Sequence, residues 1–312
     1  MVDIVGLGEI CIDWVLQVER FPEPDEKIFY KKSEIFPGGV TANYVTALAR
    51  LGANVGFIGG VGKDHYGNFL ISKLNEEGID TSLLKRHNNR NTAVNILAVN
   101  KHGEKIIFQD PNLKENVPDP MYLDEKFVEY LKNAVLLHTT GIKLETSIKA
   151  AKIAKKSGKF VSFDLEKHVA EYGIDKIKEL LKYTDLLLPN KLGIRQLTDT
   201  DDLVEAAFKM KKYGPNTVVI TLGDKGCMII TDENTVIEVP AFKVKAIDTT
   251  GAGDAFNAAF TYSFFVKKWD YKKAALFANA TAAIKCTKMG AQTGLPRYDE
   301  VLKFLKERNV YL

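Results

Sequence analysis

The sequence predicts an α/β fold, with a mostly parallel central sheet and helices on both faces. Two patterns carry that expectation. Short apolar runs alternate with stretches of helical period along most of the chain, as right-handed βαβ crossovers require. Two regions break the alternation, reading as extended segments with no crossover helix after them, so a second, smaller sheet is expected beside the first.

The elements follow in order. Residues 4–8 are the first apolar run and read as a strand, and the start of the chain, with no basic segment, reads as this strand and not as a signal peptide. Residues 14–18 and 27–36 form an extended, alternating stretch. A helix is expected over 41–51, a strand over 55–59 and a helix over 66–77. Between them, the glycine-rich run Gly59-Gly60-Val61-Gly62 through Gly67 reads as a strand-to-helix turn with a structural role. Residues 93–99 and 105–109 form a hairpin around Asn100-Lys101-His102-Gly103-Glu104. Residues 110–122 read as a loop. Strands are expected over 135–139, 160–164, 186–189 and 218–222. Helices are expected over 127–133, 147–157, 177–183 and 203–213, then over 255–266, 272–286 and 299–308.

Composition excludes several classes. The chain has 312 residues, 46% hydrophobic and 27% charged, an ordinary globular balance. A net charge of +3 argues against nucleic acid or an anionic membrane as partner, and no apolar run is long enough to span a bilayer. Cys11, Cys227 and Cys286 lie far apart, so neither disulfides nor a zinc site is expected, in keeping with a cytoplasmic protein. The 5 histidines are scattered. No Walker A loop is present, because Gly62-Lys63 is followed by Asp64, and neither Gly251-Ala252-Gly253 nor Gly6-Leu7-Gly8 has the third glycine of a dinucleotide-binding turn.

The chemistry concentrates in Asp248-Thr249-Thr250-Gly251-Ala252-Gly253-Asp254, which runs into the apolar helical stretch Ala255-Phe256-Asn257-Ala258-Ala259-Phe260. Free backbone N–H groups at a helix start converge on one spot, where the helix dipole favours negative charge. Gly251 and Gly253 let the backbone approach a ligand closely. Asp254 either caps the helix or takes a proton. An anion cradle beside a carboxylate suits phosphoryl transfer to an alcohol, with Asp254 as general base and the amides of Ala252, Gly253 and Asp254 stabilising the transferred group.

That string resembles the C-terminal signature of the ribokinase-like (PfkB) carbohydrate kinases, and Gly38-Gly39-Val40-Thr41-Ala42-Asn43 followed by Ala47-Leu48-Ala49-Arg50-Leu51-Gly52 resembles their N-terminal one. The resemblance spans nearly the whole chain. It implies one three-layer α/β/α kinase domain over residues 1–312, with a β-sheet lid formed by about 12–36 and 92–112. It further implies ATP and Mg²⁺, a small sugar or sugar-like acceptor, and a homodimer through the lid. The acceptor would meet Asp13, Gly38, Gly39 and Asn43. Asp13 would sit at a strand's C-terminal edge, where open α/β sheets bind ligands. The nucleotide would meet Asn190, the turn Thr221-Leu222-Gly223-Asp224-Lys225-Gly226, and Asn279. Asp248, Thr250 and the 288–294 stretch match a monovalent-cation site, implying K⁺.

One departure stands out. The family's Asn-x-x-Glu, tied to magnesium and phosphate, reads here Asn190-Lys191-Leu192-Gly193. Asp164 and Glu166, at the end of a neighbouring strand, are the candidates to supply the missing contact. The motifs identify phosphoryl-transfer machinery and leave the acceptor open. A nucleoside is the nearest rival, with Trp14, Phe29, Tyr30 and Phe108 available to stack on a base. Ketodeoxygluconate or fructose-type acceptors, and a non-catalytic sugar-binding regulator, are further alternatives.

Overall fold

The computed structural model describes residues 2–312; Met1, part of the expected opening segment, lies outside them. The chain begins with β1 (Ile4–Leu7), β2 (Cys11–Gln17), β3 (Lys32–Gly38), α1 (Val40–Arg50), β4 (Val55–Ile58), β5 (Gly60–Gly62), α2 (His65–Glu76) and β6 (Lys85–His87). It continues with β7 (Val94–Val99), β8 (Lys105–Phe108), α3 (Asn112–Glu115), α4 (Glu125–Lys132), β9 (Leu136–Thr139), α5 (Leu144–Lys156) and β10 (Phe160–Leu165). Then come α6 (Lys167–Ala170), α7 (Ile174–Leu181), β11 (Leu186–Pro189), α8 (Lys191–Thr198), α9 (Leu203–Lys211) and β12 (Thr217–Thr221). The hairpin β13 (Cys227–Ile230) and β14 (Val236–Val239) precedes α10 (Ala252–Thr261), α11 (Tyr271–Lys285) and α12 (Tyr298–Lys306).

The main sheet has 8 strands in the order β14-β13-β12-β11-β10-β9-β1-β4, parallel except for the β13 and β14 edge. Alternate residues of each strand point to opposite faces. Ile4, Leu136 and Leu186 join one core with Tyr44, Leu48, Phe256, Phe260 and Phe277 of α1, α10 and α11. Val5, Leu137 and Leu187 join the other with Phe127, Ala150, Leu180 and Ala206 of α4, α5, α7 and α9. Both faces are covered, which is why the parallel strands read as unbroken apolar runs. No helix among the described residues is long and apolar enough to cross a membrane.

The expected second sheet is present as β3-β2-β7-β8. Its two faces differ. Asp13, Leu97, Lys105 and Ile107 face a cleft over the main sheet. Trp14 pairs with Ile35 and Ile96, and Ile96 with Phe108, in a row of apolar side chains on the other face. The glycine-rich turn before α2 is structural, as expected: the Asp64 carboxylate caps the helix on the Gly67 amide at 2.8 Å and holds the Thr92 amide at 2.7 Å. The 110–122 segment is less irregular than its sequence suggests, since it contains α3.

Helices α1 and α10 are locked side by side. The Tyr44 hydroxyl lies 2.8 Å from that of Thr261, and the Tyr44 ring stacks on His138 at 3.6 Å between centroids. Burial pushes His138 down to about 3, so the imidazole is neutral and packs as a flat polar ring bonded to Ser162. This lock fixes Asn43 on α1 against Asp254 on α10.

Candidate active site

A cleft of about 600 Å³ opens at the C-terminal ends of the parallel strands, between the main sheet and the lid. Four strand ends supply a polar side chain: Glu9 after β1, Glu166 after β10, Asn190 after β11 and Thr221 at the end of β12. The lid adds Asp13, Asn95 and Lys105, and the start of α10 adds Gly251, Gly253 and Asp254.

The start of α10 is built to receive an anion. Gly251 holds the N-cap position with φ 79° and no side chain caps the helix. A side chain there would be strained by the backbone and would meet the Ala291 carbonyl at 3.0 Å. The Ala252 amide is already committed to the Thr249 carbonyl at 3.1 Å, which removes it from the expected set of anion donors in this state. The amides of Gly253 and Asp254 have no protein acceptor among the described residues, and space beside Gly253 is open.

Asp254 is 7% exposed and accepts a hydrogen bond from Asn43 Nδ2 at 2.7 Å. Asn43 is itself oriented by Gln292, whose amide donates to Asn43 Oδ1 at 3.0 Å. Burial first, and the negative charge of Glu166 second, push the Asp254 carboxyl up to about 8; the Asn43 bond pulls the other way. Asp164 lies well above the usual carboxylate range through burial and repulsion from Glu166 and Asp254, and accepts from Asn257 Nδ2 at 2.9 Å. Glu9, 2% exposed, is raised by burial and accepts from Thr41 and Thr140 at 3.2 and 2.7 Å. Beside them His168 faces Glu166 at 3.3 Å; burial opposes its charge, but the Glu166 contact outweighs this and raises its pKa.

This crowd of carboxyls bears on the expected Mg²⁺. Among the described residues no three His, Cys, Asp or Glu side chains are grouped to hold a metal by themselves. Mg²⁺ needs only one or two carboxylates when it arrives on phosphates with its own waters. Glu166 in the cleft and Asp164 behind it meet that demand, and their mutual repulsion is what a cation relieves.

On the lid side, Asp13 does not sit at the C-terminal edge of a strand, as the sequence suggested, but inside β2 of the second sheet opposite Asn95. It accepts from Asn95 Nδ2 at 3.2 Å and from the Cys11 thiol at 3.5 Å, and burial raises its pKa. Gly38 lies against the Asp13 carboxylate, where any side chain would collide with it. Gly39, with φ 97°, brings the α1 start within 2.7 Å of Ile10 Cα, measured from the position a Cβ would take. Of the expected nucleotide contacts, Thr221 and Gly223 line the cleft but Gly226 does not; it serves the turn, with φ 97°. Asn279 also lies outside the cleft lining, its amide bonded to the carbonyls of Val239 and Pro240, both at 3.1 Å.

The structure gives a reason for Gly193. Asn190 caps α8 by accepting the Gly193 amide at 2.7 Å. A Cβ on Gly193 would sit 2.6 Å from the Leu165 carbonyl, so α8 packs too closely on the end of β10 for a glutamate. Asp248 faces a smaller neighbouring cavity of about 170 Å³. Its carboxylate accepts the amides of Thr250 at 2.9 Å and Gly290 at 2.8 Å.

The sequence reading brings together Asp13, Gly39, Asn43, Asn190, Thr221, Gly223, Glu166, Thr250, Gly251, Gly253 and Asp254 around one cleft. It misses Glu9, Asn95 and Lys105. Glu9 carried a signal, a charged residue directly after an apolar strand; Asn95 and Lys105 carried none beyond lying in the lid hairpin.

Comparisons with known proteins agree with this geometry. A family model described as pfkB family carbohydrate kinase matches residues 1–297. The chain is 34% identical to a ribokinase of Haemophilus influenzae, covering 96% of this chain and 97% of that one. It is 31% identical to fructokinase-1 of Oryza sativa subsp. japonica, covering 97% of each. A solved structure of Arabidopsis thaliana ribokinase complexed with ribose and ATP superposes with a TM-score of 0.87 at 27% identity, covering 98% of this chain and 99% of that one.

Proposed function

The chain belongs to the pfkB family of carbohydrate kinases, phosphotransferases acting on a hydroxyl group, and we propose that it transfers the γ-phosphoryl group of ATP to a hydroxyl of a small sugar. The observation that carries this reading is the juxtaposition at the start of α10: a buried carboxylate with a raised proton affinity, next to two amides that lack an acceptor.

The chemistry follows from those groups. The acceptor hydroxyl lies against Asp254, held by Asp13, Asn43 and Asn95 and by the close backbone of Gly38 and Gly39. As its oxygen bonds to the γ-phosphorus, its proton passes to an Asp254 carboxylate oxygen. The bond from phosphorus to the bridging oxygen breaks and ADP leaves. The Gly253 and Asp254 amides stabilise charge on the transferred group. Asn190, Thr221 and Gly223 border the nucleotide's path. Glu166 and Asp164 would hold Mg²⁺, whose role when bound is to neutralise phosphate charge.

Trp14, Phe29, Tyr30 and Phe108, the aromatics offered to stack on a nucleoside base, do not line the cleft; a nucleoside acceptor is kept as the second reading. The lid's outer row of Trp14, Ile35, Ile96 and Phe108 supports a second proposal, that two copies pair through it.

The test is ADP formation from ATP and Mg²⁺ across pentoses, hexoses, sugar acids, sugar phosphates and nucleosides, with Asp254→Asn alongside. We expect one sugar to drive turnover and the variant to lose about 10²–10⁴ in kcat while folding normally. Near-normal kcat in the variant removes Asp254 as base. Turnover with none of the acceptors favours the sugar-binding regulator.

A further inference from the structure

The monovalent-cation site implied by the sequence resemblance does not fit this chain, because two of its oxygens, the Asp248 carbonyl and Thr250 Oγ1, already hold lysine ammonium groups. Lys285, the last residue of α11, is fully buried, with 0% exposure. Its ammonium donates to the Asp248 carbonyl at 2.7 Å and lies 3.9 Å from the Asp248 carboxylate. The other expected oxygen, Thr250 Oγ1, accepts from Lys105 Nζ at 3.2 Å. The Asp248 carboxylate is taken by the Thr250 and Gly290 amides. A cation added at these oxygens would therefore meet the ammonium groups of Lys285 and Lys105.

We propose that Lys285 replaces the monovalent cation: its buried ammonium binds the loop that leads into the anion cradle and makes turnover independent of potassium. The connectivity explains how. Residue 248 begins the 248–251 turn, and the backbone amides of Ile247 and Asp248 donate to the Cys286 carbonyl at 2.8 and 3.2 Å. Lys285 thus closes the same junction from the side-chain direction. Gly251, three residues on, leans on Ala291. A fixed positive charge at this point holds the turn in the shape that leaves the Gly253 and Asp254 amides pointing at the ligand. Lys285 acts through the backbone and touches no reacting atom, so it is a positioning residue. Burial disfavours its charge and Asp248 opposes that effect. An ammonium on a flexible stem, with three donors, is a suitable stand-in for an ion held by carbonyl oxygens.

The inference rests on the phosphoryl-transfer reading, and the experiment separates the two. Turnover and thermal unfolding of the wild type are measured in potassium, sodium and choline chloride at equal ionic strength. We expect kcat within about twofold across the three salts and unfolding midpoints that coincide. Lys285→Ala should lose about tenfold or more in kcat, with the acceptor KM little changed, as removal of support from an anion-stabilising loop predicts. Potassium or ammonium chloride should restore part of that loss and raise the variant's midpoint, while choline should do neither. If the alanine variant does not fold, Lys285→Met keeps the aliphatic length and should lose kcat without ionic rescue. Several-fold activation of the wild type by potassium, a wild-type midpoint raised by potassium over sodium, or full kcat for either variant in choline overturns the proposal. A wild type inactive with every acceptor overturns the kinase reading alone, since the midpoints still report whether an ion binds.

Discussion

Asp254 faces two opposing demands. A base must be ionised to accept a proton, yet it must hold that proton strongly enough to pull it from an alcohol. The structure sets the balance with three neighbours: a dry environment, the charge of Glu166, and the Asn43 amide. With the carboxyl pushed up to about 8, the proposed base is mostly protonated in the free enzyme below that pH. We expect kcat/KM to climb about tenfold per pH unit below about 8 and to level off above it. Glu166→Gln removes the like charge and should move this limb to lower pH; a limb that stays in place would mean that Glu166 does not act on Asp254 in solution. Part of this arrangement is legible in the sequence, because Asp254, Asn43 and Asp13 lie in or beside recognisable strings. Glu9 is legible only as a charge after an apolar strand, and Asn95 and Lys285 not at all, since each gains its meaning from a partner remote along the chain. Glu9, for example, is held by Thr41 and Thr140.

Elements show the same division. The buried parallel strands are legible as apolar runs, and their helices as periodic stretches, because burial on both faces leaves no other composition available. Ends shift by a few residues: the stretch expected over 255–266 is α10 followed by a π turn, Tyr262–Val266. The β13–β14 hairpin and helices α6 and α8 escape the sequence reading because they are short. Helix α8 explains the chain's one break with its family's pattern. In an ordinary helix Gly→Ala gains up to about 1 kcal/mol from propensity. At Gly193 the new methyl would lie 2.6 Å from the Leu165 carbonyl, a backbone atom that has no rotamer to escape into. The clash decides the sign, since overpacking costs about 1–3 kcal/mol. We expect both Gly193→Ala and Gly193→Glu to lower the thermal midpoint and to weaken ATP, by displacing the Asn190 cap. A glutamate variant as stable as wild type and with faster turnover would mean the helix can move outward and the lost carboxylate is missed.

At the scale of the whole molecule, the lid has one face committed and one face free. Its inner face, with Asp13, Asn95 and Lys105, lines the cleft, so on the proposed reading its position would govern access of the acceptor. Four strands, antiparallel except for the central β2–β7 pair, stand off the main sheet with no helix among the described residues behind them, and the outer row shows the consequence: Trp14 is 38% exposed, Ile35 42%, Ile96 38% and Phe108 63%. Monomers seldom leave such a contiguous apolar strip in water. A second copy of the same strip, related by a two-fold axis, is the simplest cover, because a self-complementary surface needs no other partner. Pairing would also stiffen the inner face, linking oligomeric state to acceptor binding. We therefore expect a dimer by sedimentation at micromolar concentration. Ile96→Lys, which places a charge at the centre of the row, should yield a monomer with an acceptor KM raised several-fold and a kcat changed less, since Asp254 and its amides lie on the main domain. A wild type that sediments as a monomer removes the pairing, and a monomeric variant with an unchanged acceptor KM removes its link to the acceptor site.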